Sequence, residues 1–283
     1  MVSDLRERLN YRIGLEASRL RAPWLRKSGA FRDIRTYCMF LGYARSGHSL
    51  VGALLDAHPN VVIAHELDAL KYIQYHDIQR DHLYALALRN SAQFTRNGRF
   101  WEGYSYAVQN QWQGKYTKLY VIGDKKGGGS ADRLTHKPEL LERLAGLIGD
   151  DTMLRIVHVV RNPYDNIGSM FKGDKTRPSL DELIDYYFTL CQTVASVMSS
   201  IDPEQLVTVR HEDVIRQPRH EFSRLCAFLG LDCSEAYLDA CASVVFESPR
   251  KSRYAVEWTP EAIERVSARM RDFAFLAGYS FED

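Results

Sequence analysis

Long apolar runs are missing from this 283-residue chain. Nowhere do about 18 apolar residues follow one another, and the opening MVSDLRERLNYRIGLEASRLRAPWLRK holds no uninterrupted apolar stretch of the kind a secretory signal needs. The expectation is a soluble, cytoplasmic protein with no integral membrane segment. Cysteine is scarce. The five present, Cys38, Cys191, Cys226, Cys233 and Cys241, are odd in number, scattered and without a C-x-x-C pair, so neither a disulfide scaffold nor a zinc site is expected. The nine histidines lack ligand spacing, and no metal is expected. Net charge is only +1, which removes any global field arguing for nucleic acid or a membrane surface.

What is present is ordinary globular material, 45% hydrophobic and 26% charged, at a length that suits one large α/β domain or two small ones. No repeat, low-complexity tract or linker divides it. The reading is a helical leader over 1–35 and a single domain over 36–283. The leader carries Leu5, Leu9, Ile13 and Leu20 among arginines until Pro23 ends or bends it. Short apolar runs predict strands at Tyr37–Leu41, Val61–Ala64, Tyr104–Val108, Lys118–Ile122, Leu154–Val160 and Leu206–Arg210. Helical spacing is read over Ser49–Ala57, within 67–97, and over Pro138–Ile148, Leu180–Met198, Pro218–Leu229 and Pro260–Leu276, with a further helix opening at Pro163. Strands alternating with helices imply an α/β fold with a mostly parallel central sheet covered on both faces. In such a sheet the ligand sits past the carboxyl ends of the strands. The residues there are Gly42 to Ser49, His65 and Glu66, Asp124 to Lys126, Arg161 to Ser169, and His211 to Asp213.

The segment Thr36 to Glu66 carries the strongest local signal. A buried strand runs into a turn with glycine at both ends, Gly42 and Gly47, and then into a helix. Such a turn aims backbone N–H groups and the positive end of a helix dipole at one spot, which suits a phosphate. The pattern is that of a phosphate-binding loop, except that His48 stands where a triphosphatase places lysine. That lysine and a magnesium ion serve β and γ phosphates. Without it, a ligand lacking a γ phosphate fits better.

Three motifs in order resemble the sulfotransferases that use 3′-phosphoadenosine 5′-phosphosulfate, and their tyrosylprotein and carbohydrate branch more than the cytosolic steroid and phenol branch. The family's P-R-S-G-T-T loop and following D-A-H-P correspond to Ala44-Arg45-Ser46-Gly47-His48-Ser49 and Asp56-Ala57-His58-Pro59. Its strand with R-[ND]-P, and a serine eight residues after the arginine, corresponds to Arg161-Asn162-Pro163 and Ser169. Its Y-E-D-L stretch is similar to His211-Glu212-Asp213-Val214. The resemblance implies a phosphosulfate held by Arg45, Ser46, Gly47, His48 and Ser49, and a 3′-phosphate held by the planar fork of Arg161 with Ser169. It implies His211 against the adenine, and a closing loop with Arg250, Lys251, Ser252 and Arg253. It also implies Glu66 as general base, with His65 as the alternative, and Lys125, rather than Lys126, beside Arg45 at the transferred group. The reaction implied is sulfuryl transfer to a hydroxyl of a small-molecule, carbohydrate or peptide acceptor. A kinase using ATP and a non-catalytic nucleotide binder are the alternatives.

Overall fold

The structure, a computed structural model, describes residues 2–173 and 178–283, with side chains from residue 11 onward. In chain order it runs α1 (Val2–Lys27), β1 (Thr36–Gly42), α2 (His48–Leu55), β2 (Val61–His65), α3 (Ala69–Tyr75), α4 (Arg80–Arg96), β3 (Phe100–Trp101) and β4 (Tyr104–Ser105). It continues with β5 (Val121–Lys125), α5 (Gly128–His136), α6 (Glu139–Ile148), β6 (Met153–Val160), α7 (Pro163–Gly173), α8 (Leu180–Ser200) and β7 (Leu206–Arg210). The rest is helical: α9 (His211–Arg216), α10 (Pro218–Phe228), α11 (Glu235–Ala242) and α12 (Pro260–Met270). Among these residues no helix is long and apolar enough to cross a membrane.

Five strands form one parallel sheet in the order β2-β5-β1-β6-β7. Every residue of the central β1 is buried. Alternation sends Tyr37, Met39 and Leu41 into one core and Cys38 and Phe40 into the other. Both faces are therefore apolar, the condition under which a parallel sheet is covered by helices on two sides. Because all five strands point the same way, the residues that follow β1, β2, β5, β6 and β7 meet along one edge.

Several sequence expectations shift. The fifth strand is Val121–Lys125, not Lys118–Ile122: Tyr120 O already accepts from Arg35 and Thr36 at the sheet's start. Lys125 therefore lies inside the strand, in register with His65. Tyr104–Val108 yields only the two-residue β4, antiparallel to β3, because the Val108 N–H donates to the side-chain oxygen of Gln113 at 2.8 Å instead of to a strand. The last helix stops at Met270. On α1, Ile13 and Leu20 face solvent, while Leu15, Ser18, Ala22 and Leu25 are buried on the side that meets α4. Leu5 and Leu9 lie outside the described side chains. Cys226 and Cys233 pair as a disulfide; the turn after α10, closed by Leu231 N–H to Cys226 O at 2.8 Å, brings them together across a spacing that no C-x-x-C search finds.

The D-A-H-P turn after α2 is a structural staple. The buried Asp56 carboxylate accepts from Ile63 N–H at 2.7 Å, from the Ser91 hydroxyl at 2.8 Å and from the Arg99 guanidinium at 2.7 Å. It ties β2, α4 and the base of the β3–β4 hairpin to α2, and so fixes what the first loop faces.

Candidate active site

A cleft of about 670 Å³ opens at the carboxyl edge of the sheet. One wall is the loop between β1 and α2, where Arg45 and Gly47 adopt left-handed conformations (φ 67° and 93°). Gly47 is obligatory: a Cβ there would meet the His211 ring at 2.2 Å. Opposite lies the start of α7. Its Asn166 amide donates to Ala44 O at 2.7 Å, Arg161 Nη1 donates to Arg45 O at 3.3 Å, and Arg45 Nε donates to Ser169 Oγ at 3.2 Å. The two arginine-bearing turns expected from sequence thus share one cleft.

Arg161 is buried and its fork turns toward the loop of residues 248–253, donating to Arg250 O and, at 3.2 Å, to Ser252 Oγ, while its Nε has no partner among the described residues. Arg250 and Ser252 line the cleft, but Lys251 is exposed away from it. Arg253 is structural: fully buried, it forks onto Asp165 at 2.6 and 3.0 Å and donates to the carbonyls of Ser280 and Phe281. The sequence reading of a three-cation lid therefore reduces to one cleft-facing cation. His211 lines the cleft beside Ile215, with Nδ1 buried and unpartnered. Burial, helped by the charge of Arg161, pushes its pKa down to about 3 and keeps the ring neutral.

Glu66 sits just past β2 with φ 56°, its N–H bonded to Lys125 O at 3.0 Å. That turn is held by Asp124, whose carboxylate accepts from Leu67 N–H at 3.1 Å and Ala69 N–H at 2.8 Å, and whose pKa burial raises to about 7. Glu66 Oε1 accepts from Lys125 Nζ at 2.5 Å and Oε2 from Lys126 Nζ at 2.8 Å. Burial works to raise its pKa, but His48, Lys125 and Lys126 outweigh it and hold the carboxyl far below the usual range. The cleft wall belongs to Lys126, not to the expected Lys125. Lys125 lies beneath, almost fully buried, and spans Glu66 and Ser49 Oγ (2.9 Å). Adjacent residues of a strand face opposite ways, so Lys125 points into the sheet's helix-covered face and Lys126 escapes past its end.

His65 leaves the site. Its ring stacks on Phe94 at 3.9 Å and meets the edge of Trp101 at 5.1 Å. Desolvation, with Lys125 nearby, pushes its pKa down to about 2. Among the aromatic residues between 72 and 106, Trp101, Tyr104 and Tyr106 line the cleft. Tyr72 and Tyr84 are core residues, and Tyr75 and Phe100 are exposed elsewhere. Sequence reasoning missed Glu102, Phe246 and Glu247, which come from the hairpin tip and the loop after α11. It also missed why three glycines follow Lys126. Gly128 and Gly129 line the cleft, and a Cβ on Gly128 would lie 2.4 Å from Ala44 N, so α5 starts in direct contact with the first loop.

The sequence profile described as Sulfotransferase family matches residues 39–235, more than half of the chain: the protein belongs to the sulfotransferase family. Curated protein sequences give no match. Among solved structures, the sulfotransferase domain from the curacin biosynthetic pathway is 14% identical, with TM-score 0.51 over 84% of this chain and 98% of that one. Sulfotransferase STF9 from Mycobacterium avium is 12% identical, with TM-score 0.50 over 93% and 83%. Mouse sulfotransferase SULT7A1 complexed with PAP is 10% identical, with TM-score 0.46 over 86% and 87%. At these identities the first two likenesses establish the fold.

Proposed function

We propose that this sulfotransferase draws its sulfuryl group from 3′-phosphoadenosine 5′-phosphosulfate and passes it to a hydroxyl of a small-molecule, carbohydrate or peptide acceptor. The observation that supports this best is the contact of Arg45 with both Ser169 and Arg161, which puts two anion-seeking turns on one cleft. The residues fit such a donor. Arg161 Nε and His211 Nδ1 are buried without partners among the described residues, a costly state that a bound polar ligand relieves. Arg161, Ser169 and Ser252 suit a 3′-phosphate. The amides of the first loop, the start of α2 and Arg45 suit the 5′ end.

The chain's residues then divide the work. Arg45 and Lys126 offset charge on the transferred group and the leaving phosphate, and Lys125 anchors Glu66 from below. Glu66 accepts the proton of the attacking hydroxyl, which enters along Trp101, Tyr104 and Tyr106. In the free protein two ammonium groups hold that carboxylate and make it a poor base. An anion that draws Lys126 to itself frees Oε2 of Glu66 to face the attacking hydroxyl while Lys125 keeps Oε1 in place, so donor binding precedes catalysis.

Calorimetry with adenosine 3′,5′-bisphosphate, run against ATP with magnesium, tests the donor: the bisphosphate alone should bind. A mass-shift screen of extracts with labelled donor then finds the acceptor. Binding of ATP with magnesium in place of the bisphosphate would overturn the reading.

A further inference from the structure

We propose that His48 is a titrating member of the donor site, taking up a proton from solvent as the 5′ end of the nucleotide binds and holding it as an imidazolium against that anion. The inference rests on the donor reading above. It concerns the loop position where neither the lysine of a triphosphatase nor the threonine of the P-R-S-G-T-T pattern is found.

The ring is seated rather than loose. His48 opens α2, is buried and lines the cleft. Its ring packs over Gly127 (φ 44°), where an added Cβ would come within 2.8 Å of the imidazole. The glycine makes the slot, and a side chain there would close it. Nδ1 lies 3.2 Å from Ser46 Oγ. Nε2 lies 3.6 Å from Glu66 Oε1, so this carboxylate is the partner with which the ring forms an ion pair once it is protonated.

Three charged groups face the ring: Glu66 past the end of β2, Lys125 from β5 and Lys126 just beyond it. Ser46, from its own loop, is uncharged. Burial and the two ammonium groups outweigh the one carboxylate, and the imidazole's pKa lies below its ordinary value. A nucleotide anion at the start of α2 changes that balance. It adds negative charge beside the ring and competes for Lys126, leaving the imidazole between an anion and Glu66. Both changes favour the charged ring. The proton comes from solvent and returns to it when product leaves; no bond of the nucleotide is made or broken in the step. A fixed cation at position 48 would also attract the anion, but it would add no pH dependence beyond that of the nucleotide's own phosphates.

The test is calorimetric titration of the full chain with adenosine 3′,5′-bisphosphate near neutral pH, in two buffers of different ionisation enthalpy, on wild type, His48→Asn and His48→Lys. The nucleotide's own phosphates titrate in every variant, so the difference between wild type and His48→Asn isolates the ring. Wild type should take up about one proton more than His48→Asn, and its affinity relative to that variant should weaken by up to about tenfold per pH unit as pH rises between the pKa of the ring in the free and in the bound protein. His48→Lys should retain tight binding, with only the proton uptake and pH dependence that His48→Asn shows. A merely structural role for His48 would not alter the proton count. Equal uptake in wild type and His48→Asn overturns the inference and leaves the donor reading intact. Failure of all three proteins to bind the nucleotide overturns both.

Discussion

Arg45 is ion-paired with Glu102 across the mouth of the cleft, so the cation proposed to meet the donor already holds an anion supplied by the protein. Glu102 occupies the tip of the β3–β4 hairpin at φ 48°, followed by Gly103 at 83°. The first of these positions favours Asn or Gly, and a glutamate is held there at some cost in strain. The hairpin thus carries an internal competitor for Arg45. Glu102→Gln should bind adenosine 3′,5′-bisphosphate about two- to fivefold more tightly, the range expected for losing a partly exposed ion pair. Titration of both proteins at low and moderate salt checks this, and the advantage of the variant should shrink as salt rises.

The opposed environments of Glu66 and His65 give a second prediction. Glu66→Gln should lower turnover by about 10²- to 10⁴-fold, the usual contribution of a general base. His65→Ala should leave turnover within a small factor of wild type. It should instead lower the melting temperature, because it removes a ring stacked on Phe94. Parallel rate and melting measurements separate the two residues, and unchanged turnover in the glutamine variant removes Glu66 from proton transfer.

Sequence legibility follows the same physical line. Short buried strands such as Tyr37–Leu41 and Leu154–Val160 declared themselves by composition, and the loop after the first declared itself by its glycines. Arg45, Arg161 and Glu66 were readable because each lies just past a strand end, and Ser169 because it sits in the helix that follows β6; the topology brings strand ends together. Arg253 was misread because charge alone does not tell a lid from a buried fork; its partner Asp165 lies 88 residues away in sequence. Lys125 and Lys126 were exchanged because a three-residue shift in β5 decides which one remains inside the sheet. Glu102 and Phe246 were invisible because short hairpins and irregular loops carry no periodic signal.

Lys125 and Lys126 should respond differently to truncation. Lys125 is almost fully buried and Glu66 is mostly buried, so Lys125→Ala removes the shared partner of Glu66 Oε1 and Ser49 Oγ, leaves Lys126 holding only Oε2, and should cost about 3 kcal/mol of stability. Lys126→Ala, at the cleft wall, should fold normally and lose turnover more than nucleotide affinity. Denaturant unfolding together with kcat and KM measurements tests the division. Equal stability loss in both variants would contradict it.

Arg161 should set the discrimination between 3′,5′-bisphosphate and 5′-monophosphate nucleotides. Charge-assisted hydrogen bonds contribute about 1.5–3 kcal/mol each. Arg161→Ala should therefore weaken the bisphosphate by about ten- to a hundredfold while changing adenosine 5′-monophosphate little. Arg161→Lys should recover part of the affinity and little of the selectivity, since a point charge lacks the planar fork. Competition binding with the two nucleotides measures the ratio, and an unchanged ratio in the alanine variant would move the 3′-phosphate elsewhere.

Stability should fall as the solution becomes mildly acidic. His158 is fully buried between Tyr43 and Thr208, and desolvation alone pushes its pKa down to about 3; His211 is held down to about 3 and His65 to about 2. In the unfolded chain each would titrate near 6.5. Between these values the unfolded state binds more protons than the folded one, so the unfolding free energy rises with pH and is lost as pH drops below about 6.5. Each neutral histidine costs about 1.4 kcal/mol per pH unit in that window. Glu66 acts at lower pH. Its folded pKa is depressed, so its contribution is complete above the ordinary carboxylate value and declines only below it. Melting curves from neutral pH down to about pH 5 should therefore report the three histidines, partly offset by Asp124, whose carboxyl is raised to about 7 and which takes up its proton in the folded state over the same window. Replacing His158 by Gln should reduce the slope of stability against pH by about one proton's worth. A slope identical to wild type would mean that His158 is already protonated in the folded protein.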